Sequence, residues 1–433
     1  MRPLDRIWLG LAALGGVAFA AGLVVSSPAV WQPAAVVASV GLVFGLGGFP
    51  ALRGYRFTAW ILAAVVAAMI YPNAFLKWGD LDLRNRWVIL LVIQAVMFGM
   101  GTQMSLRDFA GVVRAPRGVL VGIVCHFSVM PLVGLSLTKI FHFEPEIAAG
   151  IILIGSCSSG LASNVMAYLA KSNLGLSVTV TAITTMIAPL MTPLLMKVLA
   201  GTLVDVQFSK LMIEIVKQVI VPIGAALLHD YLKTAPAGHR RRILLLAAFG
   251  GAWLVAMALG GWANLETRLS AVALTWVGLG GFLLGAVVFG VVYHFIASRW
   301  VQLDRGMPVA SMAGIVYFTT VTTAAGRDNL LKIGGLLFLA SALHNAAGYF
   351  FGYWLSRGAG LDKNSARSVA FEVGLQNGGM ASGLAGSMGK LATVGLAAAI
   401  FSPWMNISGS VLANYWKRKP VEPRRANDQP VNL

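Results

Sequence analysis

Apolar runs of about 20 residues follow one another from end to end of this 433-residue chain, separated by short loops. A helix needs ~20 such residues to cross the hydrocarbon of a bilayer. A spanning barrel would show short alternating segments instead. Composition agrees: 58% of the residues are hydrophobic and 11% charged, whereas a soluble domain carries about 25% charged residues. The chain therefore reads as an all-α polytopic membrane protein without a sizeable soluble domain. Fourteen spans are expected, near 7–25, 33–50, 57–76, 87–104, 117–138, 146–170, 174–200, 210–231, 242–262, 269–297, 307–325, 333–356, 366–387 and 392–416.

The net charge of +17 has the sign of a nucleic-acid binder, but its distribution excludes that class. With the N-terminus inside, one set of loops holds 22 basic residues, among them Arg2, Arg53, Arg107, Arg240, Arg241 and Arg242, and the other set holds nine. Lys197 and Lys217 fall inside spans. Such an excess orients a polytopic protein in the cell inner (plasma) membrane with both termini cytoplasmic. The first run is read as a span rather than a signal peptide, because it is long and another span follows at once. Residues 417–433 form a basic cytoplasmic tail. Cys125 and Cys157 both lie in apolar runs, which points to neither a disulfide framework nor a cysteine metal site.

Two polar clusters interrupt the apolar runs, and polar groups at membrane depth are costly enough to mark functional sites. Gly155-Ser156-Cys157-Ser158-Ser159-Gly160-Leu161-Ala162-Ser163-Asn164 occupies the middle of the sixth span, and Glu372-Val373-Gly374-Leu375-Gln376-Asn377-Gly378-Gly379 the middle of the thirteenth. Interruptions at matching positions in two halves point to discontinuous helices with free backbone groups at their broken ends. Hydroxyls, carbonyls and a carboxylate suit a small cation, and helix N-termini suit an anion. Ser177 and Thr181 share a helix face and either join this centre or bond back to their own helix, as do Thr184 and Thr185. Pairs such as Gly41/Gly45 and Gly281/Gly285 read as small-residue helix packing.

These residues carry a resemblance. Ser163 to Lys171, Leu176-Ser177-Val178, Pro189 to Leu195, Glu372 to Asn377 and Trp404 to Gly409 resemble the bile acid:sodium symporter family, in order and spacing, over roughly residues 57–235 and 307–416. The resemblance implies an inverted-repeat panel plus core transporter fold with two discontinuous crossing helices. It implies a sodium site at Ser163, Asn164, Ser177, Thr181 and Glu372. A second would use Glu372 and Gln376 with the backbone oxygens of Val373 and Leu375, completed from the fifth span, where His126 stands in place of the family's Gln. One or two sodium ions follow. An organic anion would lie near Leu161, Ala162, Asn377 and Asn406. Leu161 stands where Thr is frequent, and Ser158-Ser159 replaces Pro-Gly.

Family members of this type have ten spans, so the chain divides into an extra helix pair (1–56), a first repeat (57–205), a second repeat (206–416) carrying a further pair near 242–297, and the tail. The extra pairs are poor in polar residues and read as scaffold or as the contact of a homo-oligomer. The function expected is sodium-coupled symport of a small or amphipathic organic anion, of the bile-acid, pantoate or 2-keto acid class, by alternating access. A proton-coupled or sodium-independent carrier is the alternative. An intramembrane hydrolase is a further class, and the chain has neither a Gly-x-Ser-x-Gly elbow nor a His-Glu-x-x-His pair to support it.

Overall fold

The computed structural model describes residues 3–49 and 56–421. Arg2, Arg53 and the tail beyond Val421, all used above in the charge reading, lie outside these residues. Sixteen principal helices carry the fold, with two two-residue strands, β1 (Lys77–Trp78) and β2 (Leu81–Asp82), paired in a small hairpin. The helices are α1 (Pro3–Val24), α2 (Pro28–Gly45), α3 (Arg56–Ile70), α4 (Arg86–Gly101), α5 (Pro116–Phe141), α6 (Pro145–Ser156), α7 (Ala162–Leu169) and α8 (Leu174–Ala200). They continue with α9 (Phe208–Thr234), α10 (Ala237–Glu266), α11 (Ala271–Arg299), α12 (Val301–Ala325), α13 (Arg327–Gly358), α14 (Lys363–Gly374), α15 (Gly378–Ser387) and α16 (Val394–Lys417).

Among the described residues, ten of these helices are long and apolar enough to cross a membrane. The other four expected spans take different forms. The sixth and thirteenth are the broken pairs α6/α7 and α14/α15. α4, at 16 residues, is shorter than most. α3 ends at Ile70, short of the expected residue 76, and a 3₁₀ turn begins at Pro72; proline has no N–H to continue a helix and disfavours helical backbone just before it. Starts are likewise written locally. Pro28, Pro116 and Pro145 open α2, α5 and α6, where a missing N–H costs nothing. The side chains of Asn85, Asn173 and Asp362 cap α4, α8 and α14.

The core gathers around the two broken helices. α14 packs on α13, α5, α7 and α8, and α16 on α6, α7, α13 and α15. Phe371, Val373 and Leu375 are fully buried there. The added helices are peripheral. α1 packs on α2 and α2 on α3, while α10 packs on α11 and α11 on α9. Along the 29 residues of α11, only Gly290, Val291, Tyr293, His294 and Ala297 are buried. Its other residues are half-buried or exposed, as suits a helix at the edge of the bundle.

Candidate functional site

Both helix breaks begin where extended backbone replaces helix, at Cys157 (φ −72°, ψ 167°) after α6 and at Leu375 (φ −108°, ψ 105°) after α14. The two extended stretches cross antiparallel, Ser159 opposite Gln376. Gly160 N–H donates to Leu375 O at 3.0 Å and Asn377 N–H to Ser158 O at 2.8 Å. Each break thus satisfies backbone groups that the other exposes where water is scarce. The approach requires glycine, since a Cβ at Gly160 would stand 2.7 Å from Gln376 O. Thr192 Oγ1 donates to Ser156 O (2.7 Å) and Asn345 Nδ2 to Gly374 O (2.8 Å), which satisfies the last carbonyls of α6 and α14.

Glu372 lies on the last turn of α14 and is fully buried. One carboxylate oxygen accepts a hydrogen bond from Ser177 Oγ and the other from Thr181 Oγ1 at 2.7 Å. The same two hydroxyls reach Asn164 Oδ1 at 2.9 and 3.2 Å, and Ser163 Oγ lies 3.3 Å from Thr181 Oγ1. Six side-chain oxygens from α7, α8 and α14 therefore converge. Glu372 takes part in none of the ion pairs among the described residues. A buried carboxylate lacking a cationic partner is costly by several kcal/mol, so the cluster calls for a cation or a proton to neutralise it. Its donors are all hard oxygens, the set that suits small hard cations. Among the described residues no cluster of three His, Cys, Asp or Glu side chains exists that would favour a softer metal.

The second expected set is built differently. His126 is fully buried, its Nδ1 2.9 Å from Glu372 O and its Nε2 2.8 Å from Cys157 O. Gln376 Nε2 donates to Val373 O at 2.7 Å, leaving Gln376 Oε1 buried without a partner. Leu375 O already accepts from Gly160 N–H and from Ser159 Oγ. The residues expected near an anion gather at the same crossing. Leu161 and Ala162 open α7 and are half-buried. Asn377 caps α15, its Oδ1 accepting from Met380 N–H. Asn406 Nδ2 donates to Ser402 O, and a Cβ at Gly378 would collide with Ser402 Oγ, so this turn of α16 lies against the start of α15.

The structure also separates hydroxyls that the sequence grouped. Ser177 and Thr181 point into the cage, whereas Thr184 and Thr185 bond back to carbonyls of their own helix, Thr184 Oγ1 also accepting from Ser159 N–H of the first break at 3.4 Å. Two buttressing residues were missed in the sequence reading. His344 Nε2 meets Met130 O at 2.8 Å, and Asn345 holds Gly374. An adjacent His and Asn at mid-span was the available signal.

A buried carboxylate ringed by hydroxyls where two broken helices cross, inside a bundle of helices long enough to span a membrane, has the architecture of an ion-coupled secondary transporter. The profile of the Sodium Bile acid symporter family matches residues 89–268. The chain is 31% identical over 384 residues to the uncharacterized sodium-dependent transporter YocS of Bacillus subtilis (strain 168), covering 88% of this chain and 96% of that one. It is 28% identical over 363 residues to the probable chloroplastic sodium/metabolite cotransporter BASS1 of Arabidopsis thaliana (84% and 73% covered), and 27% identical over 296 residues to the human ileal sodium/bile acid cotransporter (67% and 66%). The chain belongs to the sodium bile acid symporter family. It is a multi-pass membrane transporter with sodium as its coupling ion, not an enzyme, which closes the hydrolase reading.

Proposed function

We propose that the chain carries a small or amphipathic organic anion inward together with a single sodium ion held by Ser163, Asn164, Ser177, Thr181 and Glu372. The observation that carries this reading is the cluster of six side-chain oxygens, two of them those of an unpaired buried carboxylate. Sodium neutralises Glu372 and ties α7, α8 and α14 together. The anion then binds at the adjoining helix ends, near Leu161, Ala162, Asn377 and Asn406. Binding of each raises the affinity for the other by the same factor. Residues 57–205 and 206–416 would be the inverted repeats, with the core moving against the panel in the inner (plasma) membrane and both termini cytoplasmic. The pairs at 1–56 and 242–297 would be scaffold or an oligomer contact. Relatives named for bile acid and for metabolite cotransport support an organic anion, and a small hydroxy or keto acid is the preferred class. A thermal-stability screen of bile acids, pantoate and 2-keto acids, with and without sodium, tests it, because a ligand of the native state raises stability. Sodium-dependent stabilisation by none of these anions rejects the substrate class.

The second set of ligands favours one ion over two, although Gln376 Oε1 is buried there without a partner. Val373 O accepts from Gln376 Nε2, Leu375 O from Gly160 N–H, and Glu372 O faces a ring nitrogen of His126, so these carbonyls have less free acceptor capacity for a cation. The sodium dependence of uptake in proteoliposomes is therefore expected to be hyperbolic, with a Hill coefficient of about 1. His126→Gln, which removes the ring from the carbonyls of Glu372 and Cys157 and adds an amide oxygen, is expected to raise it. A sigmoidal wild-type curve with a coefficient near ~2 rejects the single-ion reading. Uptake driven by a pH gradient without sodium would instead identify protons as the coupling ion.

A further inference from the structure

Several glycines in the added helices serve close packing. A Cβ at Gly15, Gly22 or Gly41 would meet backbone atoms of the facing helix at 2.8, 2.6 and 2.8 Å, the mark of small-residue contact between α1 and α2. Gly278, Gly281 and Gly285 of α11 share the small-residue pattern but not the close approach to a facing backbone. The nearest atoms to a Cβ there are the Trp262 ring at 3.5 Å, Trp253 Nε1 at 3.9 Å and Leu254 Cδ1 at 4.0 Å. The packing expected of Gly281 and Gly285 is thus corrected: these glycines wall a cavity of about 680 Å³ between α4, α9, α10 and α11.

The cavity is separate from the helix crossing. α4 turns Leu91, Gln94, Ala95 and Phe98 to it, and its other face, through Ile89, Ile93 and Met97, meets α15. The lining is apolar or aromatic apart from Gln94. One cation stands at its edge. Lys217 precedes the lining residue Val221 by one helical turn, its Nζ lies 5.2 Å from the ring centre of Phe282, and Gln94 Nε2 donates to its carbonyl at 3.1 Å. Its acidic neighbour is Glu214 at 3.9 Å, whose other oxygen accepts from Gln218. A side-chain cation inside a span is costly, and one ion pair of that length leaves ammonium protons free for a further acceptor.

We propose that this cavity binds a long-chain amphiphilic carboxylate taken from the bilayer, its apolar chain against the glycine wall of α11 and its carboxylate at Lys217. A single basic group on an apolar wall selects a single negative group on an apolar body. The volume falls in the range of roughly 300–1,000 Å³ typical of sites for molecules of that size. The lining selects against a phospholipid, since apart from Gln94 and the Lys217 ammonium at its edge it offers no polar side chain for a phosphodiester and its glycerol esters. Access is sideways, since α10 and α11 present their outer surfaces to lipid.

The test uses cis-parinaric acid, a fluorescent fatty acid that accepts energy from tryptophan, with the full chain in nanodiscs; Trp253 and Trp262 line the cavity. Saturable energy transfer is expected, displaced by oleate and not by methyl oleate. Gly281→Leu and Gly285→Leu, each placing a side chain in the cavity, are each expected to weaken binding by about tenfold or more, a step of ~1.4 kcal/mol. Lys217→Gln is expected to abolish the preference for acid over ester, and Glu372→Gln to leave probe binding intact. Sodium-dependent thermal stabilisation verifies that the cavity variants are folded; if one glycine variant fails that check, the other and Lys217→Gln decide. Unchanged binding in the folded glycine variants, displacement by the ester as strong as by the acid, or loss of the probe in Glu372→Gln would overturn the proposal.

Discussion

Glu372→Gln is expected to abolish sodium-dependent uptake while leaving the protein folded. The carboxylate accepts hydrogen bonds from Ser177 and Thr181 and has no cationic side chain beside it. In the proposed function its charge is directed at the coupling ion. A unit charge pair at 4 Å is worth about 4 kcal/mol at an effective dielectric of about 20. Losing it should lower sodium affinity on the order of a hundred- to a thousandfold, since ~1.4 kcal/mol is a factor of ten. Gln keeps the shape and one oxygen for one hydroxyl, while the hydroxyl that meets the new amide NH2 can accept from it and donate to Asn164 Oδ1. Removing a buried unpaired charge relieves rather than strains the apo protein. The expected signature is thus a pair of results: thermal stability without sodium equal to or above wild type, and no rise in stability when sodium is added. A purely structural role for Glu372 would give the reverse, a less stable protein that still responds to sodium. Undiminished uptake would remove Glu372 from the ion site altogether.

The spans and the two breaks were legible in the sequence because hydrocarbon leaves few alternatives. A run of ~20 apolar residues becomes a helix since every backbone group must be satisfied within it. A cluster such as Gly155 to Asn164 can persist there only if something answers its polar groups. What the sequence left open depends on neighbours far along the chain. Ser177, Thr181, Thr184 and Thr185 share one helix, and only the position of Glu372, almost two hundred residues later, decides which hydroxyls turn outward. His126 was recognisable as a departure, but its two carbonyl partners come from different breaks. The glycines of α11 were misread for the same reason. Their spacing is what a packed helix face has, and whether that face meets a helix or a cavity is settled by the placement of α4 and α9. The early end of α3 was readable from Pro72 and was overridden by the hydropathy of the run.

Gly160→Ala is expected to stop transport with the Glu372 cage chemically intact. A Cβ at this position would lie 2.7 Å from Gln376 O and 3.2 Å from its carbonyl carbon. Both partners are backbone, so no side-chain rotation relieves the contact, and the two breaks must move apart. That movement strains the hydrogen bonds Gly160 N–H to Leu375 O and Asn377 N–H to Ser158 O. It also displaces Ser163 and Asn164, which follow Gly160 within one turn, from Thr181 and Glu372 on the other helices. Overpacking of this kind costs typically ~1–3 kcal/mol, and each backbone hydrogen bond lost adds about 1 kcal/mol. The variant should therefore unfold at lower temperature and respond to sodium only at much higher concentration. Gly281→Ala supplies the contrast, because its Cβ would have no neighbour closer than 3.9 Å, and its uptake and stability should match wild type. Wild-type flux and sodium affinity in Gly160→Ala would show that the crossing opens freely during transport, and that the cage is held by α7, α8 and α14 without the backbone bridge between the breaks.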